Sequence, residues 1–334
     1  GNGAYKLANH IINEKIEFER NPLYWNDKET VINSATFLAI ENPSTDVARY
    51  RAGDLDMTNY ALPPEQFAKL QKELPGEVFT TRTLATYSYE LNNKKAPFDN
   101  VNVRKALNLS LDRNVITDKV LGQGQTPTYV FTPTYIEEGH LIQQPAYSKE
   151  PMAQRNEEAI KLLEEAGYSK ANPLKFSILY NTNENHKKVA IAAASMWKAN
   201  TKGLIDVKLE NQEWKTYIDS RRAGRYDAAR AGWNADYNQA TTFGNYFLSN
   251  SSNNTAKYAN PEYDKAIAES YVATDAEGRA KAYAKAEEIL AKDFGIVPIF
   301  NYVNPRLVKP YVKGYSGKDP QDHIYLRNLY IIKH

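Results

Sequence analysis

LKFSILYNTNENHKKVAIAAASMWKANTKGLIDVKLENQEWKTYIDSRRAGRYDAARAGWNADYN, from Leu174 to Asn238, decides the reading of the fold. Leu174–Tyr180 alternates apolar and polar side chains, the period of a half-buried strand. Asn185–Asn200 has helical spacing, and Val207–Glu210 is again strand-like. Glu213–Ala223 then supplies a further helix and Tyr226–Ala231 a further strand. One β-α-β unit is thus extended by a second helix and strand. Such alternation predicts an α/β fold, a helix-covered sheet whose parallel neighbours are joined by right-handed crossovers.

The pattern continues on both sides. Asp99 or Asn100 is placed to cap a helix whose Val103, Ala106, Leu107 and Leu111 fall on one stripe. Glu157–Ala166 is a helix stopped by Gly167. Pro261–Val272 and Glu277–Lys292 are helical and precede an apolar strand, Ile296–Val303. Upstream, Ala4–Leu7, Ile16–Glu19 and Ala35–Ile40 read as strands. A helix from Thr45 closes at Gly53 in the left-handed capping position, and Pro64–Glu73 is a helix ended by the Pro75–Gly76 turn. Thr86–Leu91, TYSYEL, is an alternating tyrosine-rich strand. Trp25 and Trp197 have the look of core residues.

Bulk properties set outer limits. The chain has 334 residues, enough for more than one lobe. Its 42 basic and 40 acidic residues leave a formal charge of +2, so nothing global points to nucleic acid or an anionic membrane. Cysteine is absent, which removes disulfides, thiol nucleophiles and cysteine metal sites together. The first residues, GNGAYKLANHIINEKIEFERN, lack the pattern of a secretory signal and begin in strands. That opening resembles the middle of a domain, so further sequence upstream is expected.

Ligands in open α/β sheets bind beyond the carboxyl ends of strands. Strand 226–231 ends at Gly232–Trp233 with Asp236 just beyond. Strand 174–180 ends at Asn181, with His186 following, and strand 296–302 ends at Tyr302. If these strands are parallel, all three ends open on one edge. Trp214, Arg221 and Arg230 complete a set of aromatic walls with separate positive and negative groups, which suits a ligand that is apolar in places and carries both charges. A peptide is such a ligand. The competing reading is a solvated helix face with two core tryptophans.

In order along the chain, ERNPLYW (Glu19–Trp25), YELNN with APFDNVNVRKALNLSLDR (Tyr89–Arg113), RNEEAIKLLEEAGY (Arg155–Tyr168), ILYNTNENHKK (Ile178–Lys188), ENQEWKTY (Glu210–Tyr217), AARAGWNADYN (Ala228–Asn238), SSNNTAKY (Ser251–Tyr258) and LVKPYVKGY (Leu307–Tyr315) resemble the carboxy-terminal two thirds of a periplasmic oligopeptide-binding protein, family 5 of the solute-binding components of bacterial ABC importers. The resemblance implies a two-lobed clamp of the type II periplasmic-binding-protein kind, without the start of the first lobe and an extra domain. It implies that residues 1–84 and 304–334 belong to the first lobe and residues 85–303 form the second. It implies a periplasmic location, short peptides as cargo and membrane permease subunits as partners, together with the missing amino-terminal region; relatives with other cargo (murein peptides, haem, antimicrobial peptides) and a piece without binding of its own are the alternatives.

By the same resemblance, Asp236 is a buried carboxylate for the peptide's amino terminus. Arg230, Arg221 and His186 are cationic groups for its carboxylate. Trp214, Trp233, Asn181, Tyr302 and Gly232 line the pockets. The family's frequent cysteine pair falls at Ala85 and Asn234. An enzyme is not expected: there is no Gly-x-Ser-x-Gly elbow, His-Glu-x-x-His, P-loop or dinucleotide motif, and no cofactor or metal is called for.

Overall fold

In the computed structural model, which describes residues 1–59 and 61–333, the chain divides into two compact units, residues 1–82 with 303–334 and residues 83–302. The elements in chain order are β1 (Tyr5–Ile11), β2 (Lys15–Arg20), β3 (Ser34–Leu38), α1 (Pro43–Ala52), α2 (Pro64–Glu73), β4 (Val78–Leu91), α3 (Val101–Leu109), β5 (Thr126–Pro127), α4 (Met152–Glu165), β6 (Leu174–Asn181), α5 (Glu184–Asn200), β7 (Ile205–Gln212), α6 (Trp214–Arg222), β8 (Ala228–Asn234), α7 (Thr241–Gly244), α8 (Pro261–Val272), α9 (Ala276–Lys292), β9 (Ile296–Leu307), β10 (Val312–Lys313) and β11 (Tyr330–Ile331).

The first unit holds an antiparallel sheet ordered β1-β2-β3 and the short pair β10-β11. Helix α1 begins where the Asn42 side chain accepts the N–H groups of Ser44 and Thr45, and it ends at Gly53, whose φ of 90° supplies the left-handed cap. Val47, Tyr50, Leu62, Phe67, Leu70 and Leu307 form this unit's core. Trp25 departs from the expectation of a core residue. It is 83 % exposed, its ring tilted against that of Tyr24 with centroids 5.7 Å apart, because the turn after β2 carries it away from the apolar cluster.

The second unit is built on a sheet ordered β5-β9-β4-β8-β6-β7. β6 pairs parallel with both β7 and β8, as helix-covered alternation requires. β4, whose direction the sequence left open, pairs antiparallel with β8, from Ala85 opposite Asn234 to Leu91 opposite Ala228. On the other side of β4, Thr83 donates to the Tyr302 carbonyl and Asn301 donates to Thr86, so β9 also runs opposite to β4. β6, β8 and β9 therefore run in one direction, toward the same edge of the sheet, although β9 does not end at Tyr302 as expected but continues to Leu307.

Two apolar clusters support that edge. One gathers Tyr87, Tyr89 and Leu91 of β4 with Leu107, Phe176, Ile178, Val189, Trp197 and Ile299. Trp197 is completely buried, and its indole N–H donates to the Leu107 carbonyl at 2.9 Å. The other cluster packs Phe131, Phe243, Phe247, Tyr263 and Tyr283 under the loop that follows β8. Among the described residues no helix is long and apolar enough to cross a membrane.

Candidate functional site

Arg230 leaves β8 two residues before Gly232 and lies over the Tyr87 ring at 5.2 Å. Its Nη2 donates to the Tyr302 hydroxyl and its Nη1 to Asn181 Oδ1 at 3.4 Å, while its buried Nε–H has no acceptor. No carboxylate lies within ion-pair distance of this half-buried guanidinium among the described residues. A guanidinium stays charged at any working pH, and a partly dehydrated cation without a counter-charge is an attractive site for an anion. Gly232 makes the arrangement possible: a Cβ there would lie 2.8 Å from Arg230 Nη2 and 3.0 Å from the Tyr302 hydroxyl oxygen.

His186 sits in the first turn of α5, its N–H accepted by the capping Asn183 side chain at 3.1 Å. Its ring lies 5.6 Å from that of Tyr87. Burial, reinforced by the Arg230 charge, holds the imidazole well below the usual histidine range, so it is neutral at pH 7. The expected cation is therefore a neutral hydrogen-bonding group in this chain. Asn181, His186, Arg230, Gly232 and Tyr302 are thus brought together around Tyr87.

Arg221 differs from its expected role more sharply. It is buried, and its Nη2 donates to Glu90 at 2.9 Å, to the Tyr246 hydroxyl at 3.2 Å and to Thr255 Oγ1 at 3.1 Å. A buried charge needs a counter-charge, and Glu90 on β4 provides it from inside the protein. Arg221 reaches Arg230 only indirectly. Its guanidinium stands 5.6 Å from the Tyr217 ring, and the Tyr217 hydroxyl donates to the Arg230 carbonyl.

Trp214 opens α6 and is 55 % exposed, its ring 5.8 Å from that of Tyr217. Trp233 is half-buried against Tyr246 at 4.8 Å, edge to face, and its indole N–H donates to the Thr242 carbonyl at 3.0 Å. Asp236 lies in the loop beyond β8 and is exposed, which corrects the expectation of a buried carboxylate. One hydroxyl, that of Thr242, donates to its Oδ2 at 3.0 Å. The physical reason is position: the residue follows the sheet pairing of Ala85 with Asn234, and past that pairing the Ala235 N–H donates to the Leu84 carbonyl.

Four contributors escaped the sequence reading: Tyr87, Glu90, Tyr217 and Thr242. A glutamate inside the apolar strand TYSYEL was the available signal for Glu90. Thr242 gave none, since a threonine in a loop is ordinary.

The α/β sheet that gathers Asn181 at the end of β6, Arg230 within β8 and Tyr302 within β9 is the architecture of a solute-binding protein. Residues 1–255 match the family of bacterial extracellular solute-binding proteins, family 5 Middle, and the chain belongs to that family. It is 97 % identical over 334 residues to the periplasmic oligopeptide-binding protein OppA of Haemophilus influenzae and 55 % identical over 333 residues to that of Salmonella typhimurium. Both alignments take in 100 % of the chain, which spans 62 % and 61 % of those relatives' length. A crystal structure of Haemophilus influenzae OppA in complex with RPPGFSPFR superposes with a TM-score of 0.96 at 96 % identity, covering 100 % of this chain and 65 % of that one.

Proposed function

We propose that this chain carries the peptide-recognising face of a periplasmic oligopeptide-binding protein that delivers short peptides to the permease subunits of an ABC importer. The single observation that carries the reading is the half-buried Arg230 guanidinium, which among the described residues has hydroxyl and amide partners but no carboxylate. A peptide carboxylate placed there makes charge-assisted hydrogen bonds and satisfies the Nε–H that has no acceptor among the described residues. Asp236, with one carboxylate oxygen held and the chain around it exposed, takes the peptide's ammonium. His186, Asn181 and Tyr302 donate or accept as the ligand's end requires, and Trp214 and Trp233 offer flat walls to its side chains.

In this reading residues 83–302 act as the recognition lobe, and residues 1–82 with 303–334 belong to the other lobe. Arg221 has a structural role, fixing α6 against β4. The work is capture and release, with no bond made or broken.

Calorimetry with trialanine tests the reading. Binding by the chain that weakens at least about 30-fold in Arg230→Met supports it, that factor being the lower part of the ~2–5 kcal/mol range for losing one partner of a buried charge pair. Equal affinities would refute it.

A further inference from the structure

The Thr242 hydroxyl occupies an unusual position among the groups that flank Asp236. It donates to Asp236 Oδ2 at 3.0 Å and accepts the Asp236 N–H at 3.2 Å and the Trp233 indole N–H at 3.3 Å. One donated and two accepted bonds exhaust what a hydroxyl can make. The residue is 4 % exposed, so water does not compete for these bonds. Its surroundings hold it still. Neighbouring Thr241 donates to the Gln239 side chain at 2.6 Å and meets the Tyr283 hydroxyl at 2.7 Å. Gln239 in turn donates to Glu138 at 3.0 Å, and the Ala240 N–H donates to the Glu137 carbonyl at 3.0 Å. The loop is thus pinned from Gln239 to Thr242, just past the carboxylate.

We propose that Thr242 is a positioning residue for ligand recognition: its hydroxyl fixes the rotamer of the Asp236 carboxylate and couples it to the Trp233 wall, so that one carboxylate oxygen is left free and aimed for an ammonium group. This inference rests on the reading of Asp236 given above. A carboxylate on an exposed loop otherwise samples several rotamers, and each ordered rotamer-rich side chain costs binding free energy. Thr242 removes that cost before the ligand arrives. Because the Trp233 indole also has the Thr242 carbonyl as acceptor, deleting the hydroxyl leaves the indole anchored and falls chiefly on Asp236.

The test compares Thr242→Val, Thr242→Ala and Thr242→Ser with the unaltered chain in two measurements. The first is amide hydrogen exchange at Asp236. Exchange accelerated about tenfold in the Val and Ala variants, the factor that corresponds to ~1.4 kcal/mol, and restored in the Ser variant, supports the proposal; unchanged exchange overturns it whatever the ligand result. The second is the ratio of affinities for trialanine and N-acetyl-trialanine. A ratio that falls toward one in Val and Ala and recovers in Ser supports a role in recognition, and a ratio unchanged in all three overturns it. If the unaltered chain does not prefer the free amine, the reading of Asp236 itself has failed, and exchange alone then decides whether Thr242 orders the loop.

Discussion

Arg221 donates to Glu90 at 2.9 Å, with side-chain exposures of 10 % and 1 %, and this pairing across 131 positions of sequence takes one arginine out of the ligand-facing set. Glu90 also accepts from the Tyr246 hydroxyl at 2.6 Å and from Thr255, so the carboxylate is the centre of a buried polar network. Removing one member of a buried pair strands the other, at roughly 3–5 kcal/mol. Arg221→Met is therefore expected to lower stability by about that amount in urea unfolding. Combining it with Glu90→Leu should recover a large part of the loss, because both charges then disappear. A double variant no more stable than the single one would refute the assignment of the pair as mutually compensating.

Gly232 is expected to separate stability from binding. The atoms nearest an added Cβ are the far ends of the Arg230 and Tyr302 side chains, which can shift at small cost to the fold. Gly232→Ala should change stability by less than ~1 kcal/mol while weakening peptide binding, because the guanidinium and phenol are pushed off their shared position. Thermal unfolding and calorimetry on the same sample check both halves. Unaltered affinity would show that the Arg230–Tyr302 arrangement does not matter to the ligand.

His186 makes stability depend on pH. Burial, with Arg230 adding to it, depresses its folded-state value far below the unfolded one near 6.5. As pH falls through 6.5 the unfolded chain takes up a proton that the folded chain refuses, so the unfolded state binds more protons and stability declines. The loss continues down to the folded value and is absent above 6.5. Between pH 7.5 and 5, His186→Gln should show a shallower fall in unfolding free energy than the unaltered chain. Parallel curves would exclude His186 as a contributor.

Ala85 and Asn234 stand directly opposite each other on β4 and β8. Opposed antiparallel residues have Cα separations of about 4.5–5.5 Å, within the usual disulfide range. The double variant Ala85→Cys, Asn234→Cys is expected to oxidise in air and to add ~2–4 kcal/mol to stability. Mass spectrometry before and after alkylation reads the bond, and two free thiols would contradict the register.

Much of this molecule was legible because its signals are local. The α2 and α8 boundaries, Pro64–Glu73 and Pro261–Val272, follow from proline at the first turn, and the Gly53 cap follows from its φ of 90°. The gathering of Asn181, Arg230 and Tyr302 was legible only in part: Asn181 ends β6 as expected, whereas Arg230 lies inside β8 and Tyr302 inside β9, which runs on to Leu307. What stayed hidden depends on partners far away in sequence. The insertion of β4 between β8 and β9 is a choice among long-range pairings that no stretch of TYSYEL encodes by itself. Arg221 looked free because its helix meets the counter-charge on β4 only in the folded chain, and Thr242 matters only once the loop has brought it to Asp236. Trp25 shows the opposite failure, since apolar character alone did not secure burial.

The central claim is that a zwitterionic ligand is held by its ends, the ammonium at Asp236 and the carboxylate at Arg230. The most direct measurement is isothermal calorimetry of trialanine and N-acetyl-trialanine against the unaltered chain and Asp236→Asn. The account predicts that the unaltered chain prefers the free amine at least about tenfold, or ~1.4 kcal/mol, and that Asp236→Asn binds both peptides alike. Equal binding of the two peptides by the unaltered chain, or a preference that survives in Asp236→Asn, would contradict it.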